Sequence, residues 1–92
     1  MAVDATGAGG IRGRVTTESG EPVVGVPVMI GGDSPSHPDI AAVTGPTGEY
    51  EFVGLVPGDY EVLANPESGL LVRRGRVAPG EVTELHFVTT GG

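Results

Sequence analysis

The chain has no cysteine and no lysine. Without cysteine there can be no disulfide framework, no thiolate metal site and no cysteine nucleophile. Without lysine there can be no Schiff-base or P-loop lysine, and no lysine-dependent crosslink. Tryptophan is also absent, and only four aromatic residues occur: Tyr50, Phe52, Tyr60 and Phe87. No stretch approaches the roughly 20 apolar residues that a transmembrane helix needs. The first ten residues, MAVDATGAGG, carry neither a positive n-region nor an apolar h-region, so they do not read as a signal peptide. The expectation is a cytoplasmic protein if Met1 is the native start, or an extracellular one if the chain is an excised module.

Basic charge is scarce as well. Twelve acidic residues face five arginines, for a net charge of −7. This predicts no nucleic-acid partner and no anionic-membrane partner, since both are polyanions. Ninety-two residues suffice for one small domain. Glycine (17) and proline (8) are abundant enough to raise the prospect of low complexity. They fall, however, between regular apolar runs and so read as turns between short strands.

Residues 1–10 are small and glycine-rich and are expected to form a flexible arm, with the folded domain over 11–89 and a tail at 90–92. Seven strands are predicted, at 11–16, 26–30, 40–44, 49–53, 59–64, 70–77 and 82–89. Each alternates with period two, and no window shows helical period, so no helix longer than one turn is expected. Seven short strands with regular turn signals imply an all-β sandwich of antiparallel or mixed sheets. The inward set is Ile11, Val15, Val26, Val28, Ile30, Tyr50, Phe52, Leu55, Tyr60, Val62, Leu85 and Phe87. Gly20, Gly48 and Gly58 fall where turns call for positive φ.

Three segments together resemble a known family: Gly13-x-Val15; Gly20-x-Pro22-Val23-x-Gly25-Val26-x-Val28; and the run from Thr44 through Gly48, Tyr50, Phe52, Leu55, Pro57-Gly58 and Tyr60 to Val62. Their order and spacing are similar to those of the carboxypeptidase regulatory-like domain, over roughly residues 11–89. The resemblance implies a seven-stranded, Ig-like, prealbumin-like (transthyretin-like) sandwich. It also implies a non-enzymatic accessory role, supporting or binding beside larger assemblies. The acidic residues this family often carries near Gly45 and near Thr16 or Thr17 are missing.

Candidate chemistry is sparse. His37-Pro38-Asp39 matches the tripeptide of J-domain co-chaperones, but there it joins two long helices, and none is predicted here; a proline turn in a loop explains it. Asp33, His37 and Asp39 could line a metal or ligand site in the 31–39 loop, with carbohydrate as a possible ligand. The loop lacks calcium-loop spacing, however, and two histidines without cysteine are thin for zinc. No cofactor or metal is assigned. The hydrolase that shares the transthyretin-like fold ends in a tyrosine-arginine-glycine-serine tail, whereas this chain ends TTGG. His86 falls on the outward phase with Glu84, as a solvent-facing partner of a carboxylate. No catalytic residue is assigned.

Two sets remain as interface candidates. Met29, Val53, Leu63 and Val88 fall on the outward phase and would form an apolar patch if adjacent. Arg73, Arg74 and Arg76 form the only basic cluster. They could grip an acidic partner if a bulge at Gly75 brought them to one face. Otherwise they pair across to glutamates on neighbouring strands. The expected function is a protein-interaction or structural accessory module, self-associating or docked on a larger assembly. The alternative is a carbohydrate- or small-ligand-binding module.

Overall fold

A computed structural model describes residues 8–31, 41–67 and 69–89. The described residues contain strands and no helix: β1 (Gly9–Thr17), β2 (Pro27–Ile30), β3 (Ala41–Val43), β4 (Glu49–Leu55), β5 (Gly58–Ala64), β6 (Leu71–Val77), β7 (Val82–Glu84) and β8 (Phe87–Thr89). They form two four-stranded sheets. The first runs β4-β1-β7, with β8 also pairing β1, and the second runs β3-β2-β5-β6. The first is mixed: β4 lies antiparallel to β1, whereas β7 and β8 lie parallel to it. The second is antiparallel throughout. The architecture is the expected Ig-like, prealbumin-like sandwich.

All twelve residues of the predicted inward set are buried, and Ala64 and Val77 join them. Period two along each strand puts one face of each sheet against the other, as in any sandwich. The aromatics cluster inside, with Tyr50 meeting Phe52 edge-on at 6.0 Å and Phe87 tilted at 6.0 Å. Such pairs add a modest geometric preference to the area they bury.

The strand boundaries depart most from expectation at three places, with one-residue shifts elsewhere. β1 begins at Gly9, not Ile11: Gly9 pairs with Leu55 and Gly10 with Val82, so these two residues belong to the sheet rather than the arm. β4 runs on to Leu55 through an irregularity, because Gly9 to Ile11 spans two residues while their partners Leu55 and Phe52 span three. Gly54, with φ of 70°, supplies the left-handed residue that such a bulge uses, and it returns Leu55 to the core phase. Last, the single predicted strand 82–89 is two strands, giving eight in place of seven.

That last break is made by contacts from β4 and β1. The Leu85 carbonyl accepts the buried Tyr50 hydroxyl at 2.5 Å, and the Arg14 N–H donates to His86 Nδ1 at 3.2 Å. Both ladder positions at the break are therefore met by side chains, while Leu85 N still donates to Arg12 O at 2.9 Å. The crossing is close enough that a Cβ on Gly13 would collide with the Leu85 carbonyl and lie 2.9 Å from Tyr50 Oη. Gly13 is thus a close-approach glycine.

Two further polar anchors fix the loops. Buried Thr44 donates to Val23 O at 2.7 Å and accepts from Val26 N at 2.9 Å, tying the crossover between the sheets to the end of β3. Tyr60 donates to Val56 O at 2.6 Å, across the Pro57-Gly58 turn. This resembles the tyrosine corner of Ig-type sandwiches. No buried side-chain polar atom among the described residues lacks a partner, as a well-packed interior requires.

Candidate interaction surface

The outer face of the first sheet is a lattice of charges. Arg12 on β1 lies between Glu51 on β4 and Glu84 on β7, and Arg14 sits beside Glu49. The ion pairs are Arg12–Glu84 at 3.1 Å and Arg14–Glu49 at 2.7 Å, and His86 Nε2 lies 3.5 Å from Glu84 Oε1. His86 is therefore the solvent-facing carboxylate partner expected. The arginines hold the Glu49 and Glu84 carboxyls below their usual range, through hydrogen bonding first and charge second. These groups line one open depression, and they are occupied with each other.

The outer face of the second sheet is divided along its strands. At one end the pairs are charged: Arg74–Glu61 at 3.2 Å and Arg76–Asp59 at 2.9 Å, each across β5 and β6. Arg76 holds the Asp59 carboxyl below its usual range by hydrogen bonding. Toward the other end the register produces an apolar row through all four strands: Ala41, Met29, Leu63 and Val72. The next outward positions are Val43 and Pro27, which pair with each other, and Leu70 directly precedes β6. Val43 is 63% exposed, Leu70 58% and Val72 47%. No other described element covers this face.

The structure sorts the interface candidates unevenly. Met29 and Leu63 are cross-strand neighbours in the apolar row, both half-buried. Val53 and Val88 are exposed but lie on the first sheet. Val53 sits at the bulge near Gly10, and Val88 pairs with Thr16, six residues further along β1. The four do not form one patch. The row was extended by Val72, Val43 and Leu70, which sequence reasoning missed; their signal was the outward phase of strands already predicted, read against their neighbours' register.

The three arginines do not form a grip either. The β5–β6 register is regular, with Tyr60 opposite Gly75, so there is no bulge at Gly75. Strict alternation sends Arg74 and Arg76 outward to acidic partners. It turns Arg73 toward the sandwich edge, where it donates to His86 O on the other sheet at 2.8 Å. Gly75 leaves room there for Leu85, whose side chain would lie 2.9 Å from any added Cβ. All five arginines are engaged with acids or carbonyls of this chain. Asp33, His37 and Asp39 lie outside the described residues. Among the described residues no group of three metal-ligating side chains occurs.

Residues 10–90 match the family described as the carboxypeptidase regulatory-like domain. The chain belongs to that family. Its domain is a non-catalytic module. Searching curated protein sequences found no match. Among solved structures the chain is similar to the TIE protein of Bacillus anthracis, at 21% identity and a TM-score of 0.69, covering 90% of this chain and 17% of that one. It is similar to the minor pilin GBS52 of Streptococcus agalactiae, at 12% identity and a TM-score of 0.70, covering 90% and 44%. A putative carbohydrate binding protein from Pseudomonas aeruginosa matches at 15% identity and a TM-score of 0.57, covering 89% and 88%. At these identities the likeness shows the fold alone. The chain spans less than half the length of the first two.

Proposed function

We propose that this carboxypeptidase regulatory-like domain is a non-enzymatic protein-interaction and structural module that uses the apolar half of the second sheet's outer face as its docking surface. The observation that carries this reading is the row Ala41–Met29–Leu63–Val72, extended by exposed Val43 and Leu70. A contiguous apolar area rimmed by charged pairs is the composition of an interface core and rim. The Glu61–Arg74 and Asp59–Arg76 pairs supply the rim. Both a second copy and a larger protein assembly fit such a surface. The pilin likeness supports membership of an assembly.

Light scattering over a concentration series, combined with capture of partners from the source cells, tests the reading. Leu63→Glu is expected to abolish association, whereas Val53→Glu on the opposite sheet leaves it intact. A strictly monomeric protein that also loses no partner on Leu63→Glu contradicts the proposal. The carbohydrate-binding alternative draws on the likeness to the putative carbohydrate binding protein. It is opposed by the placement of all four aromatics in the core, which leaves none to stack on a sugar ring. A glycan array with specific hits would revive it.

A further inference from the structure

β1 and the β7–β8 pair are the first and last of the described strands, and they are direct neighbours in parallel. Gly10, Ile11 and Arg12 face Val82, Thr83 and Glu84, and Val15, Thr16 and Thr17 face Phe87, Val88 and Thr89. The sequence offset stays at 72 across the break, as the Arg12–Glu84 and Arg14–His86 contacts also show. The two ladders are therefore one continuous parallel register of eight positions, about 25 Å long at roughly 3.3 Å per residue.

The break is itself bridged. Leu85 N donates to Arg12 O, Arg14 N donates to His86 Nδ1, and Tyr50 on β4 donates across β1 to Leu85 O. From the other sheet, Arg73 donates to His86 O. At one end of the register Gly10 N donates to Glu81 O at 3.0 Å. Ile11, Val15, Leu85 and Phe87 anchor both strands in the core.

Parallel neighbours at the two ends of a chain have a mechanical consequence. Tension applied through the two ends pulls β1 and β7–β8 along their own axes in opposite directions. Every bond of the register is then loaded at once, in shear. β1 is also held on its other edge by β4, so it cannot slide without shearing that ladder too. Pulling the last strand away from the Thr17 end would instead open the same bonds one after another.

We infer that the module is a load-bearing unit whose β1/β7–β8 register acts as a non-covalent shear clamp. With no lysine in the chain, a lysine-dependent crosslink cannot supply this resistance, and the side-chain bridges at Leu85 and His86 are the reinforcement available. The inference rests on the structural-module reading for its use only. The clamp and the docking surface lie on different sheets, so each can fail without the other.

Single-molecule pulling on the full chain tests it, and the absence of native cysteine makes introduced thiol handles unique. Handles at Ala2→Cys and Gly92→Cys load the register in shear. Handles at Glu18→Cys and Gly92→Cys, next to the paired Thr17 and Thr89, unzip it. Shear is expected to require a several-fold higher unfolding force than unzipping. Tyr50→Phe, which removes the hydroxyl that bridges to Leu85, lowers the shear force. Tyr60→Phe removes a hydroxyl outside the register and leaves the shear force unchanged, although it also costs equilibrium stability. Equal forces in the two geometries, or equal loss of shear force from the two tyrosine variants, overturns the clamp.

Discussion

Tyr50 shows how one residue can serve core and ladder together. Its ring packs between Phe52 and Phe87, and its hydroxyl completes the Leu85 carbonyl at the break between β7 and β8. Replacing it with Phe leaves that carbonyl without the hydroxyl, which costs about 1–3 kcal/mol; urea unfolding measures the loss. Burial also pushes the Tyr50 hydroxyl well above its ordinary value of 10, and raises that of Tyr60 in the same direction. The folded values lie above the unfolded ones, so this contribution is complete below about pH 10 and is lost as pH rises through the folded values. Base titration followed by tyrosinate absorbance is expected to show Tyr50 ionising only as the protein unfolds. The Tyr50 ring was legible in the sequence from its alternation with Glu49 and Glu51. The hydroxyl's partner was not, because Leu85 is 35 residues away and the close crossing at Gly13 has no local signature beyond the glycine.

At the scale of strands and their pairs, alternation proved the most dependable guide. It placed twelve of the fourteen core residues, and it turned Arg73 and Arg74 to opposite sides, as strict period two requires. What alternation could not supply was register. Arg76 faces Asp59 and Arg12 faces Glu84 only because particular strands are neighbours. Likewise, Met29 lies beside Leu63 while Val53 and Val88 lie on the other sheet. The bulge at Gly54 and the break at Leu85–His86 are also tertiary in origin. The charge pairs give a pH dependence. Hydrogen bonding and charge from arginine hold Glu49, Asp59 and Glu84 below their ordinary carboxyl values of 4.5, 3.8 and 4.5. Their folded values lie below the unfolded ones. The stabilisation is therefore present above about pH 4.5 and is lost as pH falls through the folded values. Thermal melts are expected to decline over that acid window, with a smaller decline in high salt, because exposed pairs are screened. A melting temperature that is flat between pH 5 and pH 3 would contradict this.

At the scale of the whole molecule, the two outer faces divide the work. The first sheet's face is closed upon itself by mutual ion pairing, and that sheet holds the parallel β1/β7–β8 register. The second sheet's face is charged at one end and apolar at the other. The family's fold was readable from glycine, proline and aromatic spacing, because turn geometry and core packing leave local marks. The apolar face left only a partial mark, the outward phase of Met29 and Leu63, since Val43, Leu70 and Val72 look like ordinary strand residues until their strands are laid side by side. The central claim is that partners meet this face. Its most direct test is a photo-crosslinking residue placed at position 63 in the source cells, with position 53 as the control. The account predicts discrete protein adducts at position 63 and none at 53; adducts at 53 alone, or equal adducts at both, would contradict it.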